Sequence, residues 1–215
     1  SATKIQQALP FALEEHVADD VDALHFAAGS RRTNGRIPVA VVNRTTLETW
    51  LDQLREAGIY PSALIAANDG LATIPGTISL LMSDDTVYVN DGADTQLVLQ
   101  DIGPADALQA IGATDTAAAD ASTKNDDESV DNDEADATHG PKHLLVYCDA
   151  DSNEKYADEL DTLRDGFESL DIKLLADGSL SRLAVTVASG TGVNLLQGAY
   201  GPKAEYAGYL KPWRY

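Results

Sequence analysis

The sequence predicts an α/β protein with mixed sheets, and three observations carry that expectation. Helix-like and strand-like runs alternate along most of the chain; a strand, helix, strand pattern occurs twice, at residues 37–67 and 144–175; and residues 77–100 hold three short alternating runs separated by turn residues, as an antiparallel meander does. With 215 residues and 44% hydrophobic content, the chain can bury a sizeable core. Its 15 basic against 35 acidic residues leave a formal charge of -20, which opposes phosphate backbones and anionic lipid and counts against nucleic acid as a partner. Cys148 is the one cysteine, so no intrachain disulfide can form, which fits a reducing compartment. No apolar run approaches the roughly 20 residues that a bilayer-spanning helix needs.

Residues 9–29, LPFALEEHVADDVDALHFAAG, begin with Pro10, which fits a first helical turn, and Phe11, Leu13, Glu14, Glu15 and Val17 behind it favour a short helix. The good helix formers at residues 4–8 extend this helix back toward Thr3, with a bend at the proline. Asp19, Asp20 and Asp22 interrupt it, and residues 23–28 read as a short buried strand. Asn34-Gly35 is a turn pair ahead of the β-branched run at 37–42, so a hairpin-like entry into a second strand is expected. Thr45 and Glu48 have the spacing of a capping box, Leu47, Trp50, Leu51 and Leu54 form the apolar face of the next helix, and Gly58 stops it. Residues 64–67 then supply a short strand, with a parallel crossover as the natural connection.

Residues 78–82, 86–90 and 96–100 make the meander, with Ser83-Asp84-Asp85 and Asp91-Gly92 as its turns, and Pro104 opens a short helix over 105–111. Residues 115–136 hold nine carboxylates against Lys124 alone, a composition that predicts a disordered linker; the rest of the chain is acidic in its own right. Beyond it, residues 144–148 read as a strand, Asp151 with Glu154 as a helix cap, Tyr156, Leu160, Leu163 and Phe167 as an apolar helix face, and 172–175 as the returning strand. Residues 179–188 form a last helix, although Val185 and Val187 also permit a strand. The two crossover helices share a phrase, LDQLRE at 51–56 and LDTLRD at 160–165, a weak internal repeat. The expected division is a first α/β subdomain with the meander (1–112), the acidic linker (113–142), a second α/β subdomain (143–198) and a tail (199–215). That tail closes on Lys211-Pro212-Trp213-Arg214-Tyr215, a cationic and aromatic mixture found both at membrane interfaces and in ordinary C-terminal caps.

The residue pattern offers no catalytic constellation. Gly190-Thr191-Gly192 and the loop Asp91-Gly92-Ala93-Asp94-Thr95 are the nucleotide candidates, but neither has a nearby lysine to meet phosphate charge. His139 and His143 flank the acidic segment, His16 and His25 sit in the opening element as structural histidines, and Cys148 stands alone, so no metal site is expected. No serine lies in a Gly-x-Ser-x-Gly turn, and carboxylate pairs are too common in so acidic a chain to mark general acid-base chemistry.

The phrase ALPFALEEHVADDVDALHFAAG at 8–29 resembles a segment of the cytoplasmic region of type II secretion system protein L. Four further features agree in order: residues 38–64, residues 77–92, NLLQG at 194–198, and the closing KPWRY. The resemblance implies an actin-like fold, a duplicated RNase H-like core, here beginning after the family's first strands; it also supplies a reason for the repeated LDxLR phrase. It further implies a non-catalytic scaffold without cofactor that recruits the secretion ATPase, protein E, through that protein's N-terminal domain and couples it to protein M of the inner-membrane platform. On that reading the chain is the cytoplasmic domain of a single-pass inner-membrane protein, with Lys211, Trp213, Arg214 and Tyr215 next to the membrane and a homodimer as one possible state. Two alternatives from other classes are an actin-like ATPase that binds nucleotide through the Asp91 loop, and an actin-like scaffold of the type IV pilus machinery. The long acidic insertion departs from the family pattern. Glu14, Glu15, Asp19, Asp20 and Asp22 make an acidic edge that suits a basic partner surface.

Overall fold

The computed structural model describes residues 2–32, 35–113, 143–190 and 192–201, and its contacts divide the chain into two units. The first contains residues 1–66 and 192–215, and the second residues 67–191. The acidic segment expected to be disordered and the closing KPWRY both lie outside the described residues.

In the first unit, helix α1 (Ala2–Leu13) runs into a 3-10 turn at Glu14–His16, and a second turn at Val21–Ala23 leads into strand β1 (Leu24–Ala28). Pro10 does not open the helix but sits inside it, where it costs the helix one backbone N–H···O=C bond. Strand β2 (Val39–Asn43) pairs antiparallel with β1, Phe26 opposite Val41, so the hairpin expected around Gly35 forms. Alternation sorts the side chains: Leu24, Phe26 and Val39 pack under Leu9 and Leu13 of α1, while Ala27, Ala40 and Val42 meet Val193, Leu195 and Leu64 on the other face.

Helix α2 (Arg44–Glu56) follows without a loop, and its cap is Asn43, whose Oδ1 accepts from Thr45 N at 2.9 Å, not the expected Thr45. Asn43 is the last residue of the strand and is still extended, with φ -63° and ψ 133°, which is the backbone a capping residue needs. Of the expected apolar face, Leu47 is fully buried, Leu51 and Leu54 are partly buried, and Trp50 is exposed. Gly58 ends the helix at φ +76°, as expected. The parallel crossover does not form: residues 64–67 give only a single antiparallel bridge, Ile65 with Asn194, before a 3-10 turn at Ala67–Gly70. The backbone of Leu64 is committed elsewhere, its N–H donating to Asn194 Oδ1 and its carbonyl accepting from Leu195 N.

The second unit is built on a five-stranded sheet in the order β5-β4-β3-β6-β7. The meander is β3 (Thr77–Ser83), β4 (Thr86–Asn90) and β5 (Gln96–Gln100), antiparallel throughout. Helix α3 (Pro104–Ala110) follows, and β6 (His143–Cys148) and β7 (Ser169–Leu174) add in parallel beside β3. Between those two strands lie α4 (Ala150–Lys155) and α5 (Ala157–Arg164), separated at Tyr156, and after them comes α6 (Gly178–Ala188), a helix throughout. Asp149, the residue that follows the end of β6, caps α4 by accepting from Ser152 N at 2.7 Å, in place of the expected Asp151.

Three antiparallel strands followed by two parallel ones is the RNase H-like arrangement. It is formed from both sides of the acidic segment, so the sequence boundaries at 112 and 143 cut across one sheet. Ile78, Leu80, Met82, Val87, Val89, Leu144, Val146 and Cys148 face α3 and α5 through Ala107, Leu108 and Leu160, while Leu81 faces Leu183 of α6. The sheet is therefore covered on both sides, which explains its near-continuous apolar strands.

Candidate functional site

The acidic edge belongs to the first unit. Glu14 and Glu15 occupy the 3-10 turn that continues α1, Asp19 and Asp20 precede the turn that leads into β1, and Asp22 lies within it; all five are exposed. Asp20 also has a local structural task, since its Oδ1 accepts from Asp22 N at 3.0 Å and caps that turn. Arg44 reaches the same corner, where its Nε donates to the Asp22 carbonyl at 3.1 Å. Beneath the edge, Leu9, Leu13, Val17 and Val21 pack on Leu24 and Phe26, so the carboxylates stand on a firm apolar base. No lysine or arginine occurs between Lys4 and Arg31. The negative end of the α1 dipole adds to the field there, and the whole corner favours cations.

The sequence pattern missed one residue of this face. Ile5, Leu9 and Leu13 form the buried stripe of α1, whereas Phe11, about 200° around the helix from Leu9, is 82% exposed. Spacing was the available signal: at 100° per residue a position two beyond Leu9 points away from the sheet.

The Asp91 loop is closed on itself. Asp91 Oδ1 accepts from Ala93 N at 2.7 Å and Thr95 N at 3.0 Å, and Asn90 Oδ1 accepts from Gly92 N at 2.9 Å. The amides that a phosphate would need are thus held by the loop's own side chains. Asn90 is buried and fully engaged, with its Nδ2 donating to the Leu71 carbonyl and to Thr73 Oγ1. Gly92, at φ +80°, lies so close to its surroundings that a Cβ would sit 2.5 Å from the carbonyl oxygens of Ile74 and Thr77. At the other nucleotide candidate, Gly190 follows the end of α6, and Thr191 lies outside the described residues.

His25 is the structural histidine the sequence suggested. It is buried in β1, its Nε2 bonds the Leu195 carbonyl at 2.7 Å, and its ring meets Tyr200 edge-on at a centroid distance of 4.8 Å. Burial holds its pKa below the ordinary value, opposed by the carbonyl bond and assisted by the Arg44 charge. His25 is one tie to a strap at residues 192–201. Gln197 grips Ala28 through both ends of its amide, Asn194 Oδ1 accepts from Leu64 N and Leu196 N, and Tyr200 Oη donates to Glu48 at 2.8 Å. The NLLQG phrase is therefore the clasp of the first unit. Cys148 is buried, and burial with the neighbouring Asp149 pushes its thiol pKa up, which makes it a poor nucleophile. His16 is exposed, and no cluster of three or more histidine, cysteine or carboxylate groups suited to a metal occurs among the described residues.

Residues 1–203 match the family described as type II secretion system, protein L. The chain belongs to that family. The type II secretion system protein L of Pseudomonas aeruginosa is 43% identical over 77 residues, which cover 36% of this chain and 19% of that protein. The protein L of Dickeya chrysanthemi is 42% identical over 59 residues, 27% of this chain and 14% of that protein. Each alignment thus spans under a fifth of the curated relative's length. The fold is similar to that of the cytoplasmic domain of EpsL, an inner membrane component of the type II secretion system of Vibrio cholerae, with a TM-score of 0.54 at 17% identity over 93% of this chain and 70% of that one. The mixed α/β, actin-like fold class expected from the sequence is the observed one. As a protein L family member, the chain is a component of the type II secretion machinery. No helix among the described residues is long and apolar enough to cross a membrane, and Lys211, Trp213, Arg214 and Tyr215 lie outside them.

Proposed function

We propose that the chain is a non-catalytic scaffold on the cytoplasmic side of the inner membrane. It recruits the secretion ATPase, protein E, through that protein's N-terminal domain and couples it to protein M of the platform. Membership of the protein L family carries this reading. The acidic edge of Glu14, Glu15, Asp19, Asp20 and Asp22 supports it as an exposed, cation-favouring surface on a rigid base. The Asp91 loop supports the non-catalytic part, since its amides are already committed.

Titration of this chain with the isolated N-terminal domain of the ATPase tests the proposal. A saturable complex that weakens as salt rises is expected, and no complex at high micromolar concentration would overturn it. Replacing Glu14 and Glu15 by glutamine and Asp19 and Asp20 by asparagine should weaken the complex. The nucleotide-binding alternative predicts that millimolar ATP with magnesium raises the melting temperature, because a ligand of the native state alone stabilises it; on the scaffold reading the curve does not move. Sedimentation of the chain alone decides the homodimer.

A further inference from the structure

We infer that Phe11 is the apolar anchor of a docking face on α1, built for a partner surface that carries a hydrophobic pocket rimmed with basic residues. Of the chain's three phenylalanines, Phe26 is buried in the first unit and Phe167 packs on the core of the second, but Phe11 stands in solvent. It is the most exposed large apolar side chain among the described residues. Its neighbours on the helix surface are Gln7 and Ala8 one turn back, and Glu14 and Glu15 one turn on. An aromatic ring with Gln7 and Ala8 on one side and carboxylates on the other has the composition of an interface hot spot beside a polar rim.

The charge around the ring selects the occupant. Five carboxylates and the negative end of α1 crowd this corner, so a second copy of the same face, an anionic lipid surface and a nucleic acid are all repelled. A basic surface is attracted. The two parts of the face then have separate kinetic tasks. Long-range attraction by the carboxylates speeds encounter, whereas burial of the ring in a pocket slows departure.

This inference rests on the reading that the ATPase domain is the partner, and its test separates the two. Association and dissociation rates are measured between this chain and the N-terminal domain of the ATPase. For Phe11→Ala, dissociation is expected to be on the order of tenfold faster with association changed by less than about twofold. The four-amide variant should instead slow association and flatten its salt dependence. Because Phe11 is exposed, a melting curve matching the parent chain's is expected for Phe11→Ala. Parent binding with unchanged Phe11→Ala kinetics would overturn the anchor and leave the scaffold reading standing. If the parent chain does not bind the ATPase domain, a photo-crosslinking residue at position 11, compared with one at exposed Leu180, decides the matter in the assembled secretion machinery. A crosslink from position 11 to a subunit with a basic contact surface supports the anchor, and none above the Leu180 control overturns it.

Discussion

In α2 the phrase at 51–56 leaves Leu51 and Leu54 only partly covered, whereas in α5 the matching phrase at 160–165 buries Leu160 to 1% exposure. Both copies are helical. Each also places an arginine three residues after an aspartate, and each pair meets: Arg55 with Asp52, and Arg164 with Asp161. What differs is the sheet in each unit: among the described residues, two strands in the first and five in the second. The chain after α5 returns as β7, parallel to β6; the chain after α2 makes one bridge and leaves. Local sequence sets the helix and its surface pairs, while the depth of burial follows from how much sheet there is to cover.

That comparison can be broken at several strengths. Leu160→Ala should cost about 2–5 kcal/mol, as buried leucine truncations do, against about 1 kcal/mol for Leu51→Ala. Urea unfolding measures both, and equal losses would mean the burial difference has no energetic weight.

A second contrast comes from pH. In the unfolded chain His25 titrates near its ordinary 6.5, while burial holds the folded value lower. The unfolded state therefore binds more protons, and stability of the first unit falls as pH drops below about 6.5 until the lowered folded value is passed. Amide exchange in β1 should quicken over that window while β6 does not, and His25→Gln should remove the effect.

The two strand-to-helix caps give a finer test. Asn43→Ala and Asp149→Ala should each cost about 1 kcal/mol, but only the second should depend on acid. The Ser152 hydrogen bonds hold the Asp149 pKa below its ordinary 3.8, so this cap's contribution is complete above that value and is lost as pH falls through the lowered one. Melting series of both variants between neutral and strongly acid pH should diverge there. Smallest of all, double-mutant cycles on Arg55 with Asp52 and Arg164 with Asp161 should each return no more than about 0.5 kcal/mol, since both pairs are exposed.

Much of this was legible in residue order. Turn chemistry at Ser83-Asp84-Asp85 and Asp91-Gly92, with period-two alternation, specified the meander, and apolar spacing specified α2, whereas the residues of α6 also permitted a strand. Caps were harder to read, because several side chains at a strand end can each reach a free N–H. Asn43 prevailed as the last paired residue of β2, and Asp149 by following the last paired residue of β6. The acidic edge was legible as composition, and the outward position of Phe11 was implicit in the spacing of Ile5, Leu9 and Leu13.

The sequence by itself determined the α/β class, the order of strands and helices in the second unit, the family and the charge of the candidate docking face. All of these depend on contacts or patterns within a few residues, or on simple counts. Only the tertiary structure decided that β6 joins β3 across the acidic segment, that residues 64–67 bridge to Asn194 instead of extending a sheet, and that His25, Gln197 and Tyr200 clasp one unit together. Those partners lie 66 or more positions apart in the numbering of the paired residues, as Leu80 with Val146 and His25 with Leu195 illustrate. Pairing over such distances is set by which surfaces remain uncovered once the local elements exist, and no local pattern encodes that.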